Sequence, residues 1–287
     1  MKRPVILLTG AAGQLGFELA RVLPEHGELV AADRVVLDLA NADAIAATVR
    51  RVRPQIIVNA AGYTAVDRAE SEPALANAIN ARAPAILAEE AKRLDALLIH
   101  YSTDYVFDGS SAEPYREDDR PDPVNVYGTS KLAGERAITA AGGAHLILRT
   151  SWVYGWHGQN FLLTMKRLAA TRNELRIVAD QFGVPNWSRT LAEATARLVS
   201  RGAAALANKS GIYHLSSRGR ASWFDFARAI FDDATFPRVL PITTAEYPTP
   251  ARRPASAVLA TVKLEEVFGI VLPDWRQTLA ACKAAAS

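Results

Sequence analysis

Short apolar runs alternate with amphipathic stretches through the first half of the chain. The runs predict buried strands at Val5–Thr9, 29–32, Ile56–Asn59, 97–101 and 145–149. The stretches between them predict helices that begin at Gly13 and Asn41, and helices over 74–94 and 126–140. This alternation is typical of βαβ units. We therefore predict an α/β fold, a Rossmann-type doubly wound parallel sheet covered by helices on both faces.

The pattern changes after residue 149. Prolines and aromatic residues gather at 152–156, 181–187 and 247–254, between helical segments near 161–170, 190–200 and 223–231. Residues 211–215 have strand character, and we expect them to return to the main sheet. The sequence thus predicts a first domain over 1–151, joined by segments near 188–216, and a smaller, interleaved lobe formed mainly by 152–287.

Composition and charge exclude several classes of protein. A chain of 287 residues that is 49% hydrophobic and 22% charged does not resemble a collagen, a coiled coil or a disordered tail. The single cysteine, Cys282, excludes an intrachain disulfide, which predicts a reducing compartment, the cytoplasm. The net charge of +3 comes with scattered arginines, so we expect no nucleic-acid partner. The first apolar run stops at Thr9, too early for a membrane span.

A glycine-rich turn follows the first predicted strand and opens a helix. Gly10, Gly13 and Gly16 are spaced G-x-x-G-x-x-G, one residue longer than the G-x-G-x-x-G dinucleotide fingerprint, and they enclose Gln14 and Leu15. Glycines let backbone N–H groups and a helix N-terminus approach a pyrophosphate. The turn therefore predicts a dinucleotide site on the first domain, and a plain glycine-lined turn is the alternative.

Further candidate cofactor contacts follow the second and third strands. Asp33 lies about 20 residues beyond the glycines, where a carboxylate accepts hydrogen bonds from an adenosine ribose. Arg34 beside it suits a 2′-phosphate, so both NADH and NADPH stay open. Asp38 and Leu39 suit the adenine, although Asp38 suits a turn equally well. Gly62, Tyr63 and Thr64 follow the third strand, at the edge of the sheet where such folds bind ligands.

Candidate chemistry lies on the helix predicted over 126–140. Tyr127 and Lys131 are spaced i, i+4, so their side chains emerge on one face. A nearby ammonium stabilises a phenolate and lowers the pKa of the phenol, which favours proton transfer to a developing alkoxide. By itself this spacing also fits a half-buried tyrosine beside a solvated lysine. Thr103, directly after the fourth strand, is placed to hydrogen-bond a carbonyl oxygen, or with Ser102 to satisfy turn amides.

Together these motifs identify a known family. Residues 10–16, 59–71, 102–109, 126–131, 149–155, 180–185 and 252–256 resemble the extended short-chain dehydrogenase/reductases, and within them the dTDP-4-dehydrorhamnose reductase family. The resemblance spans nearly the whole chain. It implies an NAD(P)H-dependent reduction of the C4 ketone of a dTDP-linked keto-deoxysugar.

The resemblance also implies roles for single residues. Tyr127 is the implied proton donor, Lys131 tunes it and holds the nicotinamide ribose, and Thr103 binds the C4 carbonyl. Implied dinucleotide contacts are the glycine turn, Asp33, Asp38, Leu39 and Gly62 to Thr64. Implied substrate contacts are Thr103, Asp104, Tyr105, Trp152 and Gln181, with Arg253 on the diphosphate. For Trp152, a core aromatic between the lobes is the alternative.

Other reactions and functions fit parts of the sequence. Related dehydratases have an Asp-Glu pair after the threonine, but here Tyr105 follows Asp104, which favours plain ketone reduction over dehydration. A reductase or epimerase of another nucleotide sugar stays open, as do a redox sensor and a non-catalytic regulatory subunit similar to the β subunit of methionine adenosyltransferase. The family is also associated with Mg²⁺ and a homodimer. Glu18 and Glu193 are the candidate ligands, although no carboxylate follows Asp274 to complete such a site.

Overall fold

The computed structural model describes residues 3–232 and 237–285. Its strands are β1 (Val5–Thr9), β2 (Glu28–Ala32), β3 (Ile56–Asn59), β4 (Leu97–Thr103), β5 (His145–Thr150), β6 (Val153–Tyr154), β7 (Glu174–Val178), β8 (Phe182–Gly183), β9 (Asn186–Trp187), β10 (Gly211–His214), β11 (Ala221–Ser222) and β12 (Arg238–Ile242). Its helices are α1 (Gln14–Val22), α2 (Ala42–Val52), α3 (Val66–Ala69), α4 (Pro73–Asn77), α5 (Ala83–Arg93), α6 (Val126–Ala141), α7 (Phe161–Ala169), α8 (Ser188–Val199), α9 (Ala203–Ala207), α10 (Trp223–Ile230), α11 (Val262–Phe268) and α12 (Trp275–Ala284).

A six-stranded parallel sheet organises the first domain. Its strand order is β10-β5-β4-β3-β1-β2, and every pairing in it is parallel. The predicted doubly wound α/β fold is confirmed. The strand order reverses between β1 and β3, and in such sheets the crevice at this point, beyond the carboxyl ends of the strands, binds ligands.

Each face of the sheet has its own apolar core. On one face, Ile6 and Leu8 of β1 pack in a cluster with Leu19 of α1 and Leu191 of α8. On the other face, the alternate residue Leu7 joins residues of α2, α5 and α6. Side chains alternate across a strand. The near-continuous apolar run of β1 therefore serves both cores, which is why the strand has no polar face.

The second half of the chain contributes to both parts of the molecule. Strand β10 pairs with β5 at the edge of the main sheet. Strands β7 and β12 form a separate parallel pair, and a third apolar cluster lies beside them around Tyr154, Phe226 and Trp275. The boundary between residues 151 and 152 remains a prediction. Residues 1, 2, 233–236, 286 and 287 of the two predicted domains lie outside the described residues.

Helix α6, which carries Tyr127 and Lys131, has well-defined ends. At its start the side chain of Asn125 accepts a hydrogen bond from the Gly128 N–H, at 2.8 Å, a favoured N-cap arrangement. At its end Gly142 is left-handed, with φ of +68°, as is usual for a glycine that terminates a helix. Residues next to the helix, Asn125 and Gly142, thus set both of its ends. Tyr127 and Lys131 therefore lie four positions apart on one regular helix, as predicted.

Two smaller findings concern the chain as a whole. In the described ranges, no helix combines the length and the apolar character needed to cross a lipid bilayer. Cys282 is a buried free thiol in α12, and burial is the main cause that raises its pKa to about 12. That thiol is therefore a core residue and not an exposed nucleophile.

Candidate active site

Two adjoining cavities meet at Tyr127. The first, which we call the turn cavity, has a volume of about 560 Å³ and lies over the glycine turn. The second, the lobe cavity, has a volume of about 700 Å³ and lies between the main sheet and the smaller lobe. Seven of the described residues line both of them: Gln14, Thr64, Ser102, Tyr127, Thr150, Val153 and Gln159. A ligand in one cavity therefore meets a ligand in the other beside the phenol of Tyr127.

The structure sorts most of the predicted residues between the two cavities. The turn cavity is lined by Gly10, Gly13, Gln14, Leu15, Arg34, Asp38, Leu39, Gly62, Tyr63, Thr64, Tyr127 and Lys131. The lobe cavity is lined by Thr103, Asp104, Tyr105, Tyr127, Trp152, Gln181 and Arg253, and also by Gln14 and Thr64 of the predicted cofactor set. Of the predicted site residues, Gly16 and Asp33 line neither cavity. The predicted cofactor and substrate sets thus line two connected cavities, which share Gln14, Thr64 and Tyr127.

Tight backbone contacts define the glycine turn. Gly10 is left-handed, with φ of +73°, and a Cβ there would lie 2.7 Å from the backbone nitrogen of Ala61. The buried Gly16 packs against the carbonyl of Gly10, where a side chain would collide. Gly13 is the N-cap of α1, and no acidic residue occupies the first turn of that helix. The N-terminus of α1 therefore lies at the cavity with no carboxylate in its first turn, an arrangement that favours an anionic ligand.

Replacing Gly10 by Ala is expected to weaken binding of the dinucleotide by tenfold or more. The added Cβ must displace Ala61, which lines the same cavity, besides paying about 1 kcal/mol for the left-handed backbone. Gly202→Ala is the matched control, because Gly202 has φ of +83° but open space around its Cβ position. Titration of NADPH by its fluorescence measures both variants. Equal affinities in the two would contradict this role of the turn.

The acidic residues beyond β2 cap turns. One carboxylate oxygen of Asp33 accepts from the N–H groups of Val35 and Val36, at 2.9 and 3.0 Å. Asp38 accepts from the N–H of Ala40, at 3.0 Å, as in the alternative that its sequence context allowed. Arg34 is exposed and lines the turn cavity. A ribose contact by Asp33 stays a prediction. Arg34 and Asp38, of opposite charge, both line the cavity here.

A buried polar cluster surrounds the phenol of Tyr127. Thr103 ends β4 and lines the lobe cavity with Tyr127. Its Oγ1 accepts from the N–H of Tyr105 at 3.2 Å and donates to Asp104 at 2.9 Å. Burial raises the pKa of Tyr127 above its ordinary value, so the phenol keeps its proton at neutral pH. Burial also raises the pKa of Asp104 to about 7. The second oxygen of that carboxyl, Oδ2, is buried without a hydrogen-bond partner among the described residues, so the cluster has acceptor capacity left for a ligand.

Lys131 is directed toward the sheet. Its Nζ lies 2.6 Å from the carbonyl oxygen of Tyr101 and 3.2 Å from Nε2 of His100. Burial lowers its pKa to about 8, against a raising effect of Glu135. The sequence predicted that this lysine lowers the pKa of Tyr127. In the structure the largest effect on that pKa is the burial of the phenol, which raises it.

Aromatic stacking forms one wall of the lobe cavity. Trp152 stacks on Trp223, with ring centroids 3.5 Å apart and planes 8° from parallel. A side chain at Gly183 would collide with the Trp152 indole, at 2.6 Å from its Cε2. Trp152 also has φ of +42°, which is unusual for a residue other than glycine. The indole is thus both packed between the lobes and exposed to the cavity, which combines the two alternatives that the sequence left open.

Two further predicted residues, Gln181 and Arg253, line the lobe cavity. Gln181 donates from Nε2 to Thr244, at 3.1 Å. Arg253 forms an ion pair with Asp67, at 2.8 Å, and its second amino group, Nη1, is buried without a partner among the described residues. Its guanidinium also lies 5.9 Å from the ring centroid of Tyr105. Arg253 is therefore held in place with a donor to spare, as an anion-binding arginine requires.

The sequence patterns did not indicate a contact of the smaller lobe with the glycine turn, or two residues of that lobe that line the turn cavity. His157 reaches from the smaller lobe to the carbonyl of Ala12, at 2.9 Å from its Nε2, and stacks on Phe17 with centroids 4.2 Å apart. Gly158 and Gln159, next in the chain, line the turn cavity. His157 and Gly158 follow the family motif at residues 149–155 closely. No sequence periodicity connects them with the glycine turn, which lies more than 140 residues earlier in the chain.

The candidate metal ligands do not fit a cation. Glu18 already pairs with Arg189 at 3.2 Å and with Arg21 at 3.6 Å, and Glu193 is exposed on α8. Over residues 3–232 and 237–285, no three His, Cys, Asp or Glu side chains are grouped to hold a metal. A carboxylate neutralised by two guanidinium groups is a poor ligand for Mg²⁺. We therefore assign no role to a metal.

The fold and the paired cavities define the class of protein. A parallel sheet with a glycine turn at its switch point, next to a Thr, Tyr and Lys set, is the arrangement of the short-chain dehydrogenase/reductases. The chain belongs to the family described as the RmlD substrate binding domain, whose model matches residues 3–287.

Known relatives and solved structures are similar over nearly the whole chain. The dTDP-4-dehydrorhamnose reductase of Burkholderia thailandensis is 48% identical over 289 residues, covering 96% of this chain and 97% of that protein. The dTDP-4-dehydrorhamnose reductase of Escherichia coli K12 is 45% identical over 282 residues, covering 94% of each. The crystal structure of the Bacillus anthracis dTDP-4-dehydrorhamnose reductase in complex with NADP superposes with a TM-score of 0.92 at 37% identity, covering 99% of this chain and 100% of that one.

Proposed function

We propose that this protein reduces the C4 ketone of dTDP-4-dehydro-L-rhamnose to dTDP-L-rhamnose with NADPH. The observation that carries the proposal is the position of Tyr127, whose side chain lines both the turn cavity and the lobe cavity. The similar proteins are named for this activity, and the site residues of this chain are compatible with it.

The residues of the two cavities have separate roles in the proposed reduction. The nicotinamide, when bound in the turn cavity, supplies the hydride that adds to the sugar's C4. Tyr127 then donates its phenolic proton to the ketone oxygen, whose π bond to carbon breaks. Because burial keeps this phenol protonated, it is poised as the proton donor. Asp104 is placed to accept a hydrogen bond from a hydroxyl group of the sugar through Oδ2, the oxygen that has no partner among the described residues. The hydroxyl of Thr103 already donates to Asp104, so it would have to turn from that carboxyl to donate to the ketone oxygen.

The test is a direct assay. The purified protein, incubated with dTDP-4-dehydro-L-rhamnose and NADPH, should consume nicotinamide absorbance and form dTDP-L-rhamnose in equal amounts. Parallel reactions with other nucleotide-linked ketones measure its specificity. If neither NADPH nor NADH is oxidised while NADPH still binds, the protein is a binding subunit and the proposal is wrong.

Arg34 is proposed to recognise the 2′-phosphate of NADPH. It lines the turn cavity beside Leu37, Asp38 and Leu39, the residues that follow β2. An Arg34→Ala change should raise the KM for NADPH about tenfold and leave the KM for NADH unchanged, since one charge-assisted contact contributes about 1.5–3 kcal/mol. Arg51→Ala, an exposed arginine in the last turn of α2, is the control. An equal rise in the KM for NADPH and the KM for NADH in the Arg34→Ala protein would contradict this assignment.

A further inference from the structure

A fully buried polar chain runs from β1 to Lys131. Thr9 donates to the side-chain oxygen of Asn59 at 2.6 Å, the amide nitrogen of Asn59 lies 2.9 Å from Nδ1 of His100, and Nε2 of His100 lies 3.2 Å from Nζ of Lys131. Their exposed fractions are 1% for Thr9, 0% for Asn59 and His100, and 5% for Lys131. Buried networks of this kind must satisfy every donor and acceptor.

The direction of these hydrogen bonds is fixed at one end. The backbone N–H of Ala61 points at Oδ1 of Asn59, at 3.2 Å, and an N–H can only donate. The oxygen of the Asn59 amide must therefore face Ala61, so its NH₂ group faces His100. Nδ1 of His100 must then accept, and a neutral imidazole has its proton on Nε2 in that case.

This tautomer conflicts with a charged lysine. Burial lowers the pKa of His100 well below its ordinary value, so the ring stays neutral. An Nε2–H group facing Nζ of Lys131 needs a lone pair there, which an amine has and an ammonium lacks. A charged Lys131 needs the opposite tautomer, with the proton on Nδ1. The amide of Asn59 must then turn its oxygen to His100 and give up the Ala61 bond.

We infer that His100 is a positioning residue whose tautomer changes together with the charge of Lys131, with Asn59 setting the balance between the two states. In one state an amine at Lys131 accepts from Nε2–H, and in the other an ammonium donates to bare Nε2. Because the Ala61 bond is kept only in the first state, the chain favours loss of the lysine proton. The inference concerns the residues of the proposed reductase site and rests on that function for its catalytic consequence.

The other charged and titratable groups around Lys131 do not supply this effect. On its own helix are Tyr127 and Glu135, and the latter acts in the opposite direction by favouring the ammonium. From β5, Arg149 neutralises Glu135 through a bidentate ion pair. From β4 come His100 and the carbonyl of Tyr101. The neutral Asn80 lies near Gly62, which itself adjoins the lysine.

The first test uses the unaltered protein and no substrate. The chain has five histidines, so its ¹⁵N-histidine spectrum is simple, and the signals of His100 are assigned by their loss in His100→Gln. We expect His100 to stay neutral and to exchange the Nδ1–H form for the Nε2–H form over the pH range, near 8, in which the ¹³Cε signal of Lys131 titrates. A single tautomer throughout that titration overturns the inference, whether or not the protein reduces a sugar.

A substitution then tests the role of Asn59. Asn59→Asp keeps the acceptor for Thr9 and Ala61 but presents only acceptors to His100, which should fix the Nδ1–H tautomer at every pH. The titration of Lys131 should then move up by about one pH unit or more, and the alkaline limb of kcat/KM should move with it. The pKa of Asp104 is also raised by burial. Because this residue is unchanged in every variant, its titration contributes equally to all pH profiles and does not affect the difference between them.

Asn80→Asp is the matched control for charge. It adds a buried carboxylate near the lysine but does not touch His100, since its hydrogen bonds go to Tyr63 and Ser130. In the Asn80→Asp protein, the pH at which Lys131 titrates should rise, and the tautomer of His100 should still change together with the charge of Lys131. If Asn59→Asp also leaves the tautomer free to change, or leaves the Lys131 titration in place, the coupling through His100 is disproved.

Discussion

Replacing Tyr127 by Phe should reduce kcat for the sugar ketone by a factor of about 10²–10⁴, which is the usual contribution of a positioned general acid. The ring stays in place against Tyr105, with which it makes an edge-on contact at 5.6 Å between ring centroids, so only the hydroxyl group with its transferable proton is lost. Binding of NADPH should change by less than about twofold, because a phenol-to-phenyl change leaves the glycine turn intact. Steady-state rates and fluorescence titration measure the two effects separately.

Tyr213→Phe is the control for this experiment. The hydroxyl of Tyr213 donates to the carbonyl of Lys209 at 2.7 Å, and the residue lines neither cavity. That variant should keep kcat near its original value, with a stability loss of about 1 kcal/mol from one hydrogen bond. A Tyr127→Phe protein that retains more than a tenth of the original kcat would assign the proton to another donor, for which Asp104, in the same cavity and with a raised pKa, is a candidate.

Replacing Arg149 by Met should destabilise the fold by about 3–5 kcal/mol, the cost of leaving one partner of a buried ion pair uncompensated. Arg149 and Glu135 have exposed fractions of 1% and 2% and form two hydrogen bonds at 2.7 and 2.9 Å. The pair joins β5 to α6, directly behind Ser102, which also donates to Glu135. Urea unfolding measures the loss.

Two further variants show whether burial is the cause. Arg218→Met breaks an ion pair with Glu265 of similar length, 2.9 Å, whose side chains are 54% and 47% exposed, and should cost about 0–1 kcal/mol. The double variant Arg149→Met/Glu135→Met removes both buried charges and should regain much of the lost stability. If Arg149→Met and Arg218→Met shift the urea midpoint equally, the buried pair is not a main determinant of stability.

Local patterns in the sequence determined much of the fold and part of the site. The βαβ alternation, the glycine turn after β1 and the i, i+4 placement of Tyr127 and Lys131 depend on neighbouring residues and on the fixed periods of helix and strand. The edge of the sheet on which Thr103 lies follows from the same logic, because residues after parallel strands share one edge. The resemblance to a known family added the substrate class and the roles of the lobe residues.

Only the tertiary structure decided which of these residues meet and in what state. The chain of hydrogen bonds from Thr9 to Lys131 joins β1, β3, β4 and α6, and the ion pair of Arg253 with Asp67 joins residues 186 positions apart. No periodicity connects positions at such separations, since each contact arises from how separate elements pack. Burial likewise raised the pKa of Tyr127 and lowered that of Lys131, because desolvation depends on the surrounding fold and not on the residue itself.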